Sequence, residues 1–336
     1  MTRSLLRDLV ETPSVSGDEA AAAAVLVDFF ESHDREVRVD AVGNVRAPAD
    51  DSVLLTSHVD TVPGDIEVRV EDDTLYGRGS VDAKGPLAAM ATAAVETGAS
   101  FVGVVGEERD SRGARHLVAN RDEPDAVVNG EPSGWDAGTL GYRGLLPARY
   151  EVETPTAHGS LPEPNAIDHA TAWWENVRKA FAEDADSVFE TVTPTPLDLN
   201  GGTSGDGLSV DATLSASFRL PPETGADDVK ETLAGLTEHG SVSYDQHYQP
   251  VMASARTPVA GALRAAIREE GGSPGHVRKT GTSDMNVYAA AWDCPMATYG
   301  PGDSELDHTP NEHLNLAEYD RSVRVLSATA DRLCTS

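Results

Sequence analysis

Four short apolar runs, each followed within a few residues by a histidine or a carboxylate, constrain the fold of this chain more than any other feature. They are Val53-Leu54-Leu55-Thr56-Ser57-His58, Ser100-Phe101-Val102-Gly103-Val104-Val105, Ala126-Val127-Val128-Asn129-Gly130 and Met296-Ala297-Thr298-Tyr299. Runs this short and apolar, bounded by turn residues, read as strands buried on both faces of a parallel sheet. Helical patterns fall between them, over Gly85 to Gly98, in ARHLVAN and over Val259 to Glu270. Strands alternating with helices imply the α/β class: a mixed, mostly parallel sheet with helices on both faces.

The other segments fit around this frame. Leu5, Leu6, Leu9 and Val10 recur at helical spacing, and Ser16-Gly17-Asp18-Glu19 offers capping residues for an alanine-rich helix to about Ser32. REVRVDAVGNVRA and IEVRVEDDTLYGRG read as strands, the second turning at Glu71-Asp72-Asp73. From about Leu145 the character changes. LLPARYEVET is a strand, Asn165 to Glu183 a helix, SVDATLSASFRLPP a long strand, Ala226 to His239 a helix and SVSYDQHY a strand. This suits a small α+β layer of ferredoxin-like kind, inserted, because after Pro250 the α/β pattern resumes and closes with a helix from Ala317 to Cys334. The expected domains are 1–145 with 251–336 as the catalytic domain, and 146–250 as an inserted lid or dimerisation domain.

Composition narrows the classes. No apolar run approaches the roughly 18 residues that cross a bilayer, and MTRSLLRDLVE lacks the apolar stretch of a signal peptide. A cytoplasmic protein is expected. Cys294 and Cys334 can make neither a disulfide framework nor a C-x-x-C metal motif. The 56 Asp+Glu against 26 Lys+Arg give a net charge of −30, spread along the chain, with Lys84, Lys179, Lys230 and Lys279 as its lysines. Acidity so distributed reads as a solvation device of a salt-in halophile, where self-repulsion is screened, and it argues against nucleic-acid binding.

His58 alone is weak evidence, since a histidine after a strand is commonly a hydrogen-bonded structural residue. The pattern is stronger. Asp82 lies in GRGSVDAKGP, Glu107-Glu108 follow one apolar run, Glu131 follows the next in VVNGEPSG, and His308 follows the last in YGPGDSELDHTP. Ligands of open α/β sheets bind beyond the carboxyl ends of the strands. Converging carboxylates repel one another unless cations sit among them. His58, Asp82, Glu108, Glu131 and His308 form a suitable mixed set for two Zn2+ or Co2+ ions if one carboxylate bridges. Asp60, two residues beyond His58, would hold the other imidazole N–H, and Glu107 would be the general base for water activated there.

With these residues in view, the chain resembles the two-zinc peptidase and deacylase family of acetylornithine deacetylase, succinyl-diaminopimelate desuccinylase and carboxypeptidase G. The motifs run in order over almost the whole chain: ETPSVSGDE, GNVRA, SHVDTVPG, LYGRGSVDAKGPLAAM, GEERDSRGARHL, NGEPS, LGYRG, TAHGSLPEPNAI, KTGTSDMN and GPGDSELDHTPNEH. The resemblance implies His58, Asp82, Glu108, Glu131 and His308 as metal ligands with Asp82 bridging, Glu107 as base and Asp60 in support. It also implies a non-proline cis bond after Asp82, a homodimer formed through the inserted domain, and His158 as an oxyanion stabiliser in the partner's site. Arg219 matches a position that holds a substrate carboxylate.

Within that family, VRKTGTSDMN and GPGDSELDHTPNEH look most like hydrolases that release lysine or ornithine from a small acidic amino-group carrier protein of LysW type, in lysine or arginine biosynthesis. Thr282, Ser283 and Asp284 would shape the pocket for the released amino acid. Arg112, Arg115, Arg143 and Arg278 could form a positive rim that receives the carrier. The competing enzymes are acetylornithine deacetylase, succinyl-diaminopimelate desuccinylase and a carboxypeptidase-like aminoacylase. A non-catalytic metal-binding relative is a different class, against which Glu107 argues, since a mere binder has no use for the base.

Overall fold

The computed structural model describes residues 2–158, 163–182 and 186–334, and the chain divides into two compact units. The first comprises Met1–Leu140, Ala253–Arg278 and Ser283–Ser336; the second comprises Gly141–Met252 and Lys279–Thr282. The divisions therefore fall within a few residues of 145 and 250. The short return of Lys279–Thr282 to the second unit has no signature in the sequence.

In the first unit helices α1 (Thr2–Glu11) and α2 (Ala20–Glu31) precede β1 (Arg38–Val39), β2 (Val45–Ala47), β3 (Asp50–His58) and the hairpin of β4 (Arg69–Glu71) with β5 (Thr74–Tyr76). Asp72 and Asp73, the two residues between β4 and β5, both have positive φ, 47° and 59°, as a tight two-residue hairpin turn requires. Then come α3 (Lys84–Thr97), β6 (Ala99–Val104), α4 (Arg112–Ala119), β7 (Val127–Gly130) and β8 (Ala137–Tyr142), which runs on into the second unit. Glu19 stands at the start of α2 without a side-chain cap; its carboxylate instead accepts from the Gly17 N–H at 2.9 Å and from Arg112 at 2.5 Å.

The second unit holds β9 (Gly144–Pro155), α5 (Ala166–Ala180), β10 (Thr193–Thr203), β11 (Ser209–Leu220), α6 (Ala226–Leu236), β12 (Ser241–Tyr244) and β13 (Val251–Met252). Its four-stranded antiparallel sheet has the order β10-β11-β9-β12, a β-α-β-β-α-β ferredoxin-like arrangement. Burial alternates along β11 from Asp211 onward, and its inner residues Leu214 and Phe218 join Tyr150 and Trp173, stacked at 4.5 Å, in a core of this unit's own. Asn165 caps α5 in a full capping box.

Returning to the first unit, α7 (Pro258–Glu269), β14 (Gly275–Lys279), α8 (Asp284–Ala291), β15 (Met296–Thr298), β16 (His313–Asn315) and α9 (Leu316–Cys334) complete the chain. Its sheet has the order β1-β2-β6-β3-β7-β15-β8. The pairs β6–β3, β3–β7 and β7–β15 are parallel. The register explains the two faces. Ala47, Phe101, Leu55, Val128 and Ala297 stand in one cross-strand row and belong to the main core, against which α3 and α9 pack. The neighbouring row, Arg46, Val102, Thr56, Asn129 and Thr298, faces the other way, where Tyr288 of α8 meets Thr56 at 3.1 Å. Among the described residues no helix is long and apolar enough to cross a membrane.

Candidate metal centre

Because β6, β3, β7 and β15 run side by side in one direction, whatever follows each of them arrives at one edge of the sheet. His58 ends β3, Asp60 follows it, Glu107 and Glu108 follow β6, and Glu131 follows β7. Two glycines allow this crowding. Gly106 turns with φ +75°, a conformation that side chains with Cβ rarely adopt. A Cβ on Gly130 would lie 2.7 Å from that of Ser57, whose hydroxyl donates to the Gly130 carbonyl at 2.8 Å.

Two ligand groups form there, and they share one residue. In the first, His58 Nε2 lies 3.1 Å from Asp82 Oδ1 and 3.9 Å from Glu131 Oε1. In the second, His308 Nε2 lies 3.0 Å from Asp82 Oδ2 and 3.0 Å from Glu108 Oε2. Within each group one donor atom per residue lies within 4.8 Å of the others. Asp82 thus turns one oxygen to each group, and the peptide bond after it is cis. The donors are imidazole nitrogens and carboxylate oxygens without a thiolate, a set that suits a pair of divalent cations of the Zn2+ or Co2+ kind. The His58 group is buried, whereas the His308 side chain is 51% exposed.

The electrostatics agree with a site built for cations. Hydrogen bonds to Asp82 and Glu108 push His308 up to about 10. Burial works against a proton on His58, but the hydrogen bond to Asp82 and the charges of Glu131 and Glu107 hold its pKa well above the usual range. Asp82 pays a burial penalty too, and His308 and His58 together keep it far below the carboxylate range. Glu107 is half-buried, with part of its surface open to solvent, and is surrounded by enough protein and by the charge of Glu131 that its pKa rises well above that of a free glutamate.

The expected role of Asp60 needs correction. Its carboxylate does not hydrogen-bond His58: Oδ1 is 3.7 Å from Nδ1, whose partner at 2.9 Å is the Asp60 main-chain oxygen. The imidazole closes onto the backbone because only two residues separate the groups. The carboxylate is left to accept the N–H groups of Glu107 and Glu108 at 3.1 and 3.2 Å and the Ser16 hydroxyl at 2.6 Å. Asp60 therefore fixes the turn that carries Glu107 and Glu108.

Glu312 was not singled out by the sequence. It is fully buried, and its carboxylate accepts from Arg78 Nη1 at 2.8 Å and from the N–H groups of Gly79, Val81 and Asp82 at 3.1, 2.9 and 3.0 Å. Four residues after His308, it ties that loop to the one bearing Asp82. The NEH of GPGDSELDHTPNEH was its only trace.

Ser283 is buried and caps α8, accepting from the Met285 N–H at 3.2 Å. Asp284, next to it, is buried too; burial pushes its pKa up to about 7, against a hydrogen bond from Ser111, and its charge also acts on Glu107. Ser111 itself sits at φ +50°. His158, Arg219 and Thr282 belong to the second unit. His158 is exposed just past β9, and the Gly159–Pro162 part of its motif lies outside the described residues. Arg219 on β11 has a buried Nη1 without a hydrogen-bond partner among the described residues. Of the arginines expected in a rim, Arg112 is bound to Glu19 at 2.5 Å and Arg143 is buried in the second unit, donating to the Thr191 and Arg219 carbonyls at 2.7 and 2.8 Å, whereas Arg278 is exposed.

A mostly parallel α/β sheet that gathers two imidazole–carboxylate groups around a shared aspartate, beside a carboxyl of raised pKa, defines a metal-binding hydrolase. The chain belongs to peptidase family M20/M25/M40, whose sequence model matches residues 54–332. It is 43% identical to a "[LysW]-lysine hydrolase" of Deinococcus radiodurans over 98% of this chain and 96% of the relative. It is 30% identical to a "[LysW]-lysine/[LysW]-ornithine hydrolase" of Saccharolobus islandicus, over 98% of this chain and 95% of the relative. Among solved structures, a tripeptidase from Staphylococcus aureus shares the fold with a TM-score of 0.82 and 19% identity, covering 100% of this chain and 98% of that one.

Proposed function

We propose that this chain hydrolyses the amide that joins lysine, or ornithine, to the terminal glutamate of a small LysW-type carrier protein, as a cytoplasmic step of lysine or arginine biosynthesis. The observation that carries the reading is the 43% identity, along almost the full length of both chains, to a hydrolase named for that substrate. His58, Asp82 and Glu131 would hold one cation and Asp82, Glu108 and His308 the other. A bound pair of Zn2+ or Co2+ ions would supply Lewis-acid polarisation of the amide carbonyl and lower the pKa of water.

The rest is done by the chain. Glu107 takes a proton from the attacking water as the water oxygen bonds to the amide carbon and the carbonyl π pair moves onto oxygen. Glu107 returns that proton to the amide nitrogen as the oxyanion collapses and the C–N bond breaks, and the remaining acid proton passes to the amine, so that carrier carboxylate and ammonium depart. Asp60 keeps Glu107 in register by holding its N–H. His158 stabilises the developing oxyanion, reaching from the partner subunit of a homodimer formed by the second unit. Arg219 receives the substrate's carboxylate, and Thr282 and Asp284, with Ser283 fixing the turn, line the pocket for the amino-acid side chain. The charge of −30 reflects a cytoplasm of molar salt, where repulsion from an acidic carrier is screened to about 3 Å.

The test is amine release by metal-loaded protein in molar KCl. Carrier bearing lysine or ornithine on its terminal glutamate is compared with N-acetylornithine and succinyl-diaminopimelate. Release from the carrier alone is expected. Release from a small acyl substrate alone would move the enzyme to the deacylases and leave the roles of the residues intact.

A further inference from the structure

A second charged site lies on the first unit, away from the metal centre. It is a cleft of about 510 Å3 lined in part by Arg38, Arg46, Asp51, Asn120 and Arg121. Asp51 lies seven residues before His58 on β3, roughly 23 Å of extended chain at about 3.3 Å per residue. Three observations about the arginines are hard to reconcile with a purely structural patch.

Arg38 and Arg46 are direct cross-strand partners, a like-charge pairing that destabilises a sheet. Arg46 is half-buried, its side chain makes no hydrogen bond or ion pair among the described residues, and the pKa of its guanidinium is lowered by burial and by the charges of Arg38 and Arg121. The Arg121 side chain is only 9% exposed; its Nη2 meets Asp51 at 2.5 Å, while Nη1 is buried without a partner. Burying a guanidinium nitrogen without an acceptor costs more than the hydrogen bond it forgoes. Four carboxylates stand near the three guanidinium groups, and only Asp51 pairs closely with one of them. Asp51 and Asp122 also line the cleft, Asp40 acts on Arg46 from nearby, and Glu36 approaches Arg38 only to 4.0 Å. Gathering three guanidinium groups in a chain with 26 basic against 56 acidic residues requires a reason.

We propose that this cleft binds a small oxyanion of at least two negative charges, a phosphate or sulfate group or its equivalent on a metabolite, held between Arg38, Arg46 and Arg121. Planar guanidinium forks suit such an anion better than point charges would.

The test uses full-length, metal-loaded protein at constant ionic strength, with KCl replaced stepwise by potassium sulfate or inorganic phosphate. Without the dianion, Arg38→Gln should melt above the parent, because the repulsion is gone. With sulfate at a hundredfold excess over its Kd, the parent should gain about 2–3 °C more than a variant that binds about tenfold more weakly. Parallel gains in both would be general salting-out and would overturn the proposal. Equilibrium dialysis with labelled sulfate provides the second readout. One anion per parent chain is expected, with affinity at least about tenfold weaker in Arg46→Gln and largely kept in Arg46→Lys. Binding that survives Arg46→Gln but vanishes when metal is removed would place the anion on the metals and also overturn it.

Discussion

β3 and β10 are both long strands, of nine and eleven residues, but they spend their length differently. β3 lies between β6 and β7, and Val53 to His58 are all buried. Burying Val53, Leu54 and Leu55 contributes about 1.5–3 kcal/mol each. β10 is the edge of the sheet in the second unit, paired with β11 alone, and is exposed from Thr195 onward. An interior strand is pinned on both sides, so the residue at its end is delivered to a fixed place; this is where His58 stands. An edge strand leaves a row of backbone groups unpaired and is suited to meeting another chain. Rigid strand ends suit fixed chemistry, and open edges suit association.

If that division holds, the largest effect comes from the end of an interior strand. Glu107→Gln removes the proton carrier without touching a ligand. Turnover should fall about 10^2-fold to 10^4-fold, while metal content measured by elemental analysis stays at the parent value. Lost metal would make Glu107 a ligand rather than a base, and retained turnover would remove it from the chemistry.

Next in size is Glu312→Gln. The amide turns an N–H2 toward donors that now meet a carboxylate oxygen, so the Asp82 loop loses its anchor. Outer partners of ligands typically carry about 10-fold to 100-fold in metal affinity. Competition with a chromogenic chelator should show a loss of that size, with far-ultraviolet circular dichroism unchanged. A folded variant with parental metal affinity would show that the Asp82 loop holds itself.

What could be read in advance follows the same division. SVLLTSHV and ASFVGVVG announce buried strands because burial on both faces leaves its mark in composition; the candidate ligands His58, Glu108, Glu131 and His308 follow such runs, whereas Asp82 lies between the β4–β5 hairpin and α3. TPTPLDLNGGT was missed. Pro194, Pro196, Gly201 and Gly202 argue against an interior strand, but at an edge the missing N–H groups cost nothing, and the ladder accommodates them with an irregularity between Pro196 and Asp198. Asp60 and Glu312 act mainly on backbone N–H groups, which every residue except proline has, so no side-chain pattern marks their partners. The N–H contacts of the Asp60 carboxylate and the place of Glu312 therefore leave no side-chain pattern in the sequence.

The smallest expected effect on the folded subunit, and the sharpest on assembly, lies on β10. Leu197 and Leu199 are 65% and 49% exposed there, an apolar edge of the kind that isolated subunits normally guard with charge. If the second unit associates through this strand, Leu199→Lys places a charge in the junction. It should convert a dimer to a monomer by multi-angle light scattering in molar KCl. An exposed position should change subunit stability by no more than about 0.5 kcal/mol, so a melting curve distinguishes dissociation from unfolding. A dimer that persists would move the interface off β10. A monomer that also loses turnover, with its metal intact, would mean that the partner supplies part of the site, and His158 just past β9 is the residue to replace next.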